Sequence, residues 1–433
     1  MPCADGSDRA PMTMAITRAQ FDATCAALPA ATHVVQWGGA SVWKVGGKIF
    51  AICSSWGEGA NEAIAFKCSD LSYRILTDLP GVSGHEDRIV GFVRHRFGLV
   101  TDDVRVDGIG NVIARLPARR PGPRVMVFAH LDQIGFCVKR LTDDGFVRID
   151  RIGGVNRKAL VAAPVWLHTG AGDAIPGSIG VMAHHLTPDA QRFTVPDLPE
   201  LYVDVGARSR AELVDLGLRV GDPITFANPF QLLHGDHLRA AALDDRAGVY
   251  ILLKTFEALA ARGDLGCGVV AVATVQEEFN VRGSEPAARA IAPDLAICID
   301  GSLSGDTPDL HGVNDVTMGG GPTVSLMTFH GRGTLGGLVP NPKLVRHFDA
   351  VAADLDIPLQ RAASIGGLTD ASFLQLLHGG IPAIDVGVPM RYSHSPVEMV
   401  HLGDVAQAIA LFGEAIARVD ASLDLTRGTP WRG

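Results

Sequence analysis

Two adjacent carboxylates, Glu277 and Glu278, stand where a continuous apolar stretch ends. Residues 267–275 have the length and composition of a buried β-strand, so both side chains would lie at its carboxyl end. Adjacent like charges repel each other and are costly to desolvate unless a cation lies between them. The pair is compatible with a solvated strand end, with the first turn of a helix, where the dipole favours acids, or with a catalytic site.

Further histidines and acids follow other predicted strands in the same way. They are His130 with Asp132, Asp244 with Asp245, Asp300, and His394. Open α/β sheets bind ligands outside the carboxyl ends of their strands, so these side chains predict one shared site. Imidazole and carboxylate ligands without thiolate suit zinc, cobalt or manganese. The set is too large for one tetrahedral ion and fits two ions that share a bridging carboxylate.

The elements that would position these residues alternate between strands and helices from Leu76 onward. The sequence predicts helices near residues 83–97, 244–261, 343–355 and 405–419, a hairpin at 106–115, and strands near 124–129, 267–275, 295–299 and 382–388. Ser83 and Glu86 have the spacing of a capping box at the start of the first helix. Arg262 and Gly263 are typical of the end of the second helix. The alternation predicts an α/β catalytic domain.

The pattern changes between about residues 140 and 234. Short β-like runs at 146–149, 164–168 and 178–182 alternate with glycine and proline turns, and no long helical periodicity interrupts them. This pattern of short strands and turns predicts an inserted small β-barrel-like domain. We therefore assign residues 75–140 and 235–424 to a discontinuous catalytic domain, 141–234 to an insertion for oligomerisation or substrate access, and 425–433 to a tail.

Composition limits the function further. The 433 residues carry a net charge of −9 at a pI near 5.9, which argues against binding of nucleic-acid phosphates by the whole surface. The seven cysteines form no Cys-x-x-Cys pair and are typical of reduced thiols in a cytoplasmic protein. No stretch has the length and apolarity of a transmembrane helix or a signal peptide.

The N-terminal region has a different character. Residues 1–13 are predicted to be a disordered tail, a capping box at 17–20 opens a predicted helix to about Leu28, and strands are predicted at 41–45, 48–53 and 63–67. The motifs Trp43-Lys-Val-Gly-Gly-Lys-Ile-Phe50 and Ala65-Phe-Lys67 resemble the front half of the MmcQ/YjbR family of DNA-binding-like domains. The resemblance implies that residues 14–74 are a partial α+β segment of this kind. Its balanced charge gives it no basic face, which favours a structural or interaction role over nucleic-acid binding.

The catalytic region resembles a second family. The matching motifs are Pro80-Gly-Val-Ser-Gly-His-Glu86, Ala129-His-Leu-Asp-Gln-Ile-Gly-Phe136, Leu243-Asp-Asp-Arg-Ala-Gly248, Val275-Gln-Glu-Glu278, Asp300 with Gly305-Asp-Thr-Pro308, Thr369-Asp-Ala371 and Arg391-Tyr-Ser-His-Ser-Pro-Val-Glu398. In order and spacing they resemble the dinuclear metallo-aminopeptidases of peptidase family forty-two, which include glutamyl, deblocking and TET-type enzymes, over residues 76–423. The resemblance implies a zinc-peptidase-type α/β/α sandwich and two divalent ions per subunit, with zinc or cobalt favoured and manganese possible.

The same resemblance implies a role for each site residue. His130 and Asp300 would hold one ion, Glu278 and His394 the other, and Asp244 would bridge them. Asp132 would accept the second N–H of the His130 imidazole. Glu277 would be the general base that takes a proton from a metal-bridging water and passes it to the leaving amine.

Several alternatives stay open at the level of sequence. Asp245 could bridge in place of Asp244, although motif position favours Asp244 and leaves Asp245 to cap the helix. The histidines at 184, 185, 234 and 237 are better explained as loop residues than as further ligands. The glycine runs at 319–321 and 366–367 either let backbone approach a substrate or simply turn. Leu368 interrupts the family's Gly-Thr-Asp run, which puts substrate contacts from that loop in doubt.

The resemblance also implies partners. Peptides would be the substrates, and the family builds dodecamers from dimers, which predicts a homo-oligomer. A first rival keeps the same site and makes the protein a deacylase or amidase acting on modified small peptides or amino acids. A second rival is a nucleic-acid adaptor led by the N-terminal segment. A glycosidase is rejected because it needs two metal-free carboxylates, and this site leaves only Glu277 free.

Overall fold

The computed structural model describes residues 22, 26, 31–36, 40–45, 48–54, 63–66, 76–331 and 333–428. The chain divides into two compact units, Met1–Ser72 and Tyr73–Gly433. The predicted tail at residues 1–13 and residues 429–433 of the predicted C-terminal tail lie outside the described residues. None of the helices in the described ranges is long and apolar enough to cross a membrane.

The first unit contains a four-stranded antiparallel meander. Its strands are β1 (Ala31–Gln36), β2 (Ala40–Val45), β3 (Lys48–Ser54) and β4 (Ala63–Phe66). The last three agree with the predicted strands, whereas β1 was not predicted. The predicted helix at 17–28 lies mostly outside the described residues; Asp22 and Ala26 are helical. The Asp22 carboxylate accepts hydrogen bonds from the Trp43 indole, at 2.8 Å, and from the Ser41 hydroxyl.

A large mixed sheet forms the centre of the second unit. Its strands are β5 (Val104–Val106), β6 (Val112–Leu116), β7 (Arg124–His130), β14 (Gln231–Leu232), β15 (His237–Ala240), β16 (Gly268–Thr274), β17 (Leu295–Cys298), β18 (Gly301–Leu303), β19 (Thr323–Phe329), β20 (Gly337–Leu338), β21 (Gln360–Ile365), β22 (Ala383–Arg391) and β23 (Glu398–His401). The main path runs β14-β15-β23-β22-β17-β7-β16-β6-β5. Its four central strands, β22, β17, β7 and β16, are parallel.

Helices cover both faces of this sheet. The helices in chain order are α1 (Asp87–Gly98), α2 (Arg210–Asp215), α3 (Leu243–Arg262), α4 (Ser284–Ile291), α5 (Pro342–Asp354) and α6 (Leu402–Ala417). Of these, α2 packs against the inserted barrel and the others pack against the sheet. Successive residues of β7 point to opposite faces: Val125 and Val127 pack in the core under α1, α3, α5 and α6, and Met126 and Phe128 pack in the core under α4. The predicted α/β/α sandwich is confirmed.

The start of α1 differs from the prediction. The helix begins at Asp87 with Glu86 as N-cap residue, and no side chain caps it. Ser83 instead donates its hydroxyl to Asp132, and the Glu86 carboxylate accepts the backbone N–H of Gln276. The capping box was therefore a wrong prediction, because both side chains make tertiary contacts at the carboxyl end of the sheet.

Both ends of α3 are formed by the residues that the sequence predicted, Asp245 at the start and Gly263 at the end. The Asp245 carboxylate accepts the Gly248 N–H at 2.9 Å, which satisfies a free donor in the first turn. Asp244 and Asp245 have non-helical backbone angles, and the peptide bond between them is cis. Gly263 ends the helix in a left-handed conformation, with φ of +69°.

A closed six-stranded barrel is inserted between β7 and β14. Its strands are β8 (Gly135–Leu141), β9 (Phe146–Ile152), β10 (Pro164–His168), β11 (Ala174–Ile179), β12 (Tyr202–Asp204) and β13 (Pro223–Phe226), in the order β10-β11-β12-β9-β8-β13. Alternate residues such as Phe136, Val147 and Val165 fill an interior separate from the cores beside the sheet. The barrel form of the insertion is confirmed, and its first strand starts at Gly135, ahead of the predicted boundary.

Candidate active site

The sheet topology brings the predicted site residues to one edge. His130 is the last residue of β7, while Asp300 and His394 follow the ends of β17 and β22. Glu277 and Glu278 follow the end of β16. Because these four strands are neighbours and parallel, their carboxyl ends lie side by side.

Asp244 lies between the two predicted imidazole ligands. Its Oδ1 is 3.3 Å from His130 Nε2, and its Oδ2 is 3.6 Å from His394 Nε2. Glu278 Oε1 is 3.3 Å from the same His394 nitrogen. Ser393 donates its hydroxyl to Asp244 Oδ2 at 2.9 Å. The two carboxylate oxygens of Asp244 thus face different histidines, which is the arrangement that a bridging ligand needs.

Three sets of side chains bring potential ligand atoms within 4.8 Å of one another. Within the described part of the chain these sets are His130–Asp244–Asp300, Asp244–Glu278–His394 and His130–Glu277–Glu278. The first two share Asp244 and together contain every predicted ligand. The third set places a carboxylate oxygen of Glu277 within 4.8 Å of ligand atoms of His130 and Glu278, which is as near as the proposed ligands are to one another. All seven predicted site residues except Asp132 belong to at least one set.

Both imidazoles are oriented by backbone carbonyl groups. Nδ1 of His130 lies 3.0 Å from the carbonyl oxygen of Asp132, and Nδ1 of His394 lies 2.5 Å from that of Gly154. A carbonyl only accepts, so each Nδ1 carries the proton and each Nε2 presents a lone pair to the carboxylates. Each Nε2 lies 3.3 Å from a carboxylate oxygen, that of Asp244 for His130 and that of Glu278 for His394. Because both atoms of such a pair carry lone pairs, a proton or a metal cation is needed between them.

The carboxylate of Asp132 organises the neighbouring strand end. It is fully buried and accepts the backbone N–H groups of Glu277, at 2.9 Å, and Glu278, at 3.0 Å, together with the hydroxyl of Ser83 at 2.6 Å. Its Oδ1 is 3.6 Å from His130 Nδ1, farther than the carbonyl oxygen of the same residue. The closest polar contact of the imidazole is therefore with the backbone of Asp132 rather than with its side chain.

The electrostatics of the cluster favour a positive charge at its centre. Burial, with further contributions from Asp245 and Asp244, raises the pKa of Asp300 well above its usual range. Burial and the adjacent Glu278 raise the pKa of Glu277 in the same way. Burial opposes protonation of His130, but the neighbouring carboxylates of Asp132 and Asp244 raise the imidazole pKa overall. Crowded carboxylates that resist ionisation together are the environment that divalent cations neutralise.

The donor set fits divalent metal ions. It consists of imidazole nitrogens and carboxylate oxygens, which zinc, cobalt and manganese accept. No thiolate competes among the described residues of the cluster, since Cys298, the cysteine beside it, is buried and burial raises its thiol pKa. The residues present can therefore hold a metal centre.

Four supporting residues at the site were not predicted. They are Ser83, Glu86, Ser393 and Glu398. Each lies inside one of the motifs that carry the family resemblance. Their position in those motifs was the only feature of the sequence that could have indicated a role at the site. Burial and the neighbouring Asp132 raise the pKa of Glu86 to about 7. Burial and the neighbouring Asp244 raise the pKa of Glu398 to about 8.

The remaining candidates lie elsewhere. His184 and His185 stand on an exposed short 3-10 helix between β11 and β12. The prediction of a loop was wrong for His237, which is the first residue of β15 and whose ring packs against His401 in the neighbouring strand. None of these histidines belongs to a ligand set in the described ranges. The glycine run at 319–321 turns to give two N–H groups to Asp404. Asp370, from the other glycine-rich loop, is buried and accepts the Thr274 hydroxyl.

Two family models match the sequence. The model of the M42 glutamyl aminopeptidase family matches residues 110–411. The YjbR model matches residues 26–113, which include the four strands of the first unit. Both resemblances predicted from the sequence motifs are confirmed.

Two curated relatives cover most of the chain. SgcX of Escherichia coli (strain K12) is 37% identical over 342 residues, which are 79% of this chain and 91% of that protein. The lysyl aminopeptidase of Pyrococcus furiosus is 34% identical over 343 residues, with coverage of 78% and 93%. The matched region therefore corresponds to nearly the whole length of either relative.

Solved structures agree with the fold. An aminopeptidase from the archaeon Desulfurococcus kamchatkensis superposes with a TM-score of 0.77 and 32% identity, covering 84% of this chain and 99% of that one. The TET1 peptidase of Pyrococcus horikoshii, which can assemble into a tetrahedron or a large octahedral shell, gives a TM-score of 0.71 at 29% identity. It covers 81% of this chain and 99% of its own.

Proposed function

Because the chain belongs to the M42 glutamyl aminopeptidase family, and so is a peptide-hydrolysing enzyme, we propose that it removes N-terminal residues from peptides with the help of two divalent metal ions. The observation that carries this proposal is the position of Asp244, whose carboxylate oxygens lie 3.3 Å from His130 Nε2 and 3.6 Å from His394 Nε2. One carboxylate between two imidazoles is the arrangement that a pair of ions requires.

We assign each ion to one of the two ligand sets that share Asp244. His130 and Asp300 would hold the first ion, Glu278 and His394 the second, and Asp244 both. When bound, the ions would polarise the scissile carbonyl and lower the pKa of the attacking water. Zinc or cobalt suits these donors best, and manganese is a third candidate.

Glu277 is the proposed general base. Its carboxylate reaches the same cluster as His130 and Glu278, and its backbone N–H is held by Asp132 at 2.9 Å. Glu277 takes a proton from the attacking water as the water oxygen bonds to the carbonyl carbon. It then delivers that proton to the leaving amine nitrogen as the C–N bond breaks. Asp132 acts by positioning, because it fixes the backbone that carries both glutamates.

The main alternative keeps every residue in place and changes the substrate. A deacylase or amidase acting on modified small peptides or amino acids would use the same ions and the same base. The two functions differ in whether the substrate presents a free α-amine or a blocked one. Paired peptides with free and N-acetylated ends therefore separate them.

The test combines Glu277→Gln with metal analysis and both peptide series. We expect the variant to retain two ions, because the ligand sets that share Asp244 are intact. Turnover of free-amine peptides should fall by about 10²- to 10⁴-fold, the usual contribution of a general base. Metal content is measured by elemental analysis, and turnover by release of the N-terminal residue.

The matched control is Glu285→Gln, the same change at a half-buried position of α4 that belongs to no ligand set among the described residues. It should leave both metal content and turnover unchanged. Full turnover in Glu277→Gln would contradict the assignment of the base. A preference of the native enzyme for acetylated peptides would overturn the aminopeptidase function in favour of the deacylase.

We also propose that the chain forms homo-oligomers built from dimers, up to a dodecamer. Support comes from the likeness to the TET1 peptidase, which can assemble into a tetrahedron or a large octahedral shell. A cytoplasmic location stays a prediction from the cysteine pattern.

A further inference from the structure

Glu398 is a buried carboxylate that links the loops of two proposed metal ligands. Its Oε2 accepts the backbone N–H of Asp244 at 3.0 Å, and its Oε1 accepts the backbone N–H of His394 at 2.9 Å. The side chain is 1% exposed. Each carboxylate oxygen thus holds a different ligand segment, although Glu398 itself belongs to none of the ligand sets found among the described residues.

Sheet topology explains why one residue reaches both segments. Strand β23 lies between β15 and β22 and is antiparallel to each. Glu398 is its first residue and pairs with Ala240, the last residue of β15. On the other side, Arg391 ends β22 opposite Met399. Both neighbouring strands therefore end beside Glu398, and the chain leaving them leads to Asp244 and His394.

The backbone of His394 depends on such support. Its φ is +62°, in the left-handed region that residues with a side chain seldom adopt. An unfavourable conformation persists only where neighbours over-determine it. Here Glu398 holds the N–H, while Asn156 donates its N–H to the carbonyl oxygen at 3.0 Å and Gly154 accepts from Nδ1.

We propose that Glu398 is a positioning residue that sets the separation of Asp244 and His394 and thereby the affinity of the second ion. This inference rests on the proposed dinuclear function, because those two residues and Glu278 form the second ligand set. Glutamine at this position has the same size but only one accepting oxygen. Its amide group would face one of the two N–H donors, so one ligand segment would lose its anchor.

Asp404 provides a matched control. Its carboxylate is also 1% exposed and also accepts two backbone N–H groups, those of Gly319 at 2.7 Å and Gly321 at 2.9 Å. It stands at the start of α6 and belongs to no ligand set in the described ranges. Like Glu398→Gln, Asp404→Asn replaces one accepting carboxylate oxygen by an amide group, and it does so without touching a proposed ligand.

The experiment titrates metal-stripped native enzyme, Glu398→Gln and Asp404→Asn with Co²⁺, followed by calorimetry and by the visible absorption of the bound ion. We expect two binding events in the native enzyme and in Asp404→Asn. In Glu398→Gln one of the two events should lose at least about tenfold in affinity, the usual effect of removing a group that orients a ligand. Its absorption should change because the ligand geometry changes.

Two native-like binding events in Glu398→Gln would overturn the inference and leave the proposed function intact. Fewer than two events in the native enzyme would contradict the dinuclear centre itself. If Glu398→Gln does not fold by circular dichroism, Glu398→Asp is titrated instead. Its shorter side chain cannot reach both N–H groups, so the same loss is expected. Native affinity in that variant, or failure of both variants to fold, also overturns the inference.

Discussion

At the scale of single residues, Asp132 connects the imidazole of one strand end with the two glutamates of the next. Three donors converge on its carboxylate, two of them backbone N–H groups of Glu277 and Glu278 and the third the hydroxyl of Ser83. The Asp132 carboxylate is fully buried. In such surroundings a charge-assisted hydrogen bond is strong and a missing donor is costly. Ser83 therefore supports the proposed site through Asp132 and belongs to no ligand set among the described residues.

Ser83→Ala should lower kcat/KM by about tenfold, because groups that support a metal site typically contribute ten- to a hundredfold. Metal content should stay at the native level, since no ligand set in the described ranges contains Ser83. Steady-state kinetics and elemental analysis check the two parts. The control is Ser422→Ala, which removes the same 2.6 Å hydroxyl–carboxylate bond, to Asp420, at an exposed position. Equal kinetics in both variants would contradict this role.

The sequence predicted the residues of the cluster but not what surrounds them. His130, Asp300 and the two glutamates follow strands that can be recognised from apolar runs, and parallel strands bring their ends together. Ser83 and Glu86 have a spacing that fits a helix cap equally well. Only the folded chain shows that their partners are Asp132 and Gln276. Tertiary hydrogen bonds of this kind leave no periodicity in the sequence.

At the scale of secondary structure elements, the end of α3 offers a test of backbone conformation. Gly263 has a φ of +69°, which costs a residue with a Cβ about 1 kcal/mol or more. Gly413, inside α6, has no heavy atom within 4 Å of the position that an added methyl group would take, and its conformation is that of an ordinary helix. The same substitution should therefore have opposite effects at the two positions.

Gly263→Ala should lower the thermal unfolding midpoint of the second unit. Gly413→Ala should raise it, because alanine is favoured over glycine inside helices by about 0.5–1 kcal/mol. Circular dichroism melts of the metal-loaded protein check both signs. A shift in the same direction for the two variants would contradict this explanation of the helix end.

Elements were easier to predict than the contacts between them. The helix and strand centres of the α/β domain follow from periodicity and from breakers such as Gly263. Strand β1 was not predicted, because its six residues, Ala-Thr-His-Val-Val-Gln, alternate only weakly between polar and apolar. The sequence predicted a barrel-like insertion but not which strands pair, because short strands do not specify their partners. For example, β13 closes the barrel by pairing with both β8 and β10, which lie far from it in the sequence.

At the scale of the whole molecule, the catalytic unit has its own core. The three clusters of buried apolar side chains that fill it and the barrel start at Leu76, and none includes a described residue of the first unit. The curated relatives match this part of the chain over more than nine tenths of their own length. The M42 family model, which matches residues 110–411, likewise lies within the second unit.

A truncated protein of residues 73–433 should fold, bind metal and hydrolyse peptides at the native rate. Light scattering should give a mass of several chains for both the truncated and the full-length protein, since the proposed oligomer is attributed to the second unit. Loss of activity would show that the first unit supports the catalytic fold. A single-chain mass for the metal-loaded proteins would contradict the oligomer.

The contact between the barrel and His394 has a consequence for protein engineering. Nδ1 of His394 is held by Gly154, and its carbonyl group by Asn156, both in the loop that leaves β9. A methyl group on Gly154 would stand 3.0 Å from that imidazole nitrogen. The inserted barrel therefore cannot be replaced independently of the site. A chimera with a different barrel must keep residues 153–156, because without them no backbone carbonyl group fixes the tautomer of His394.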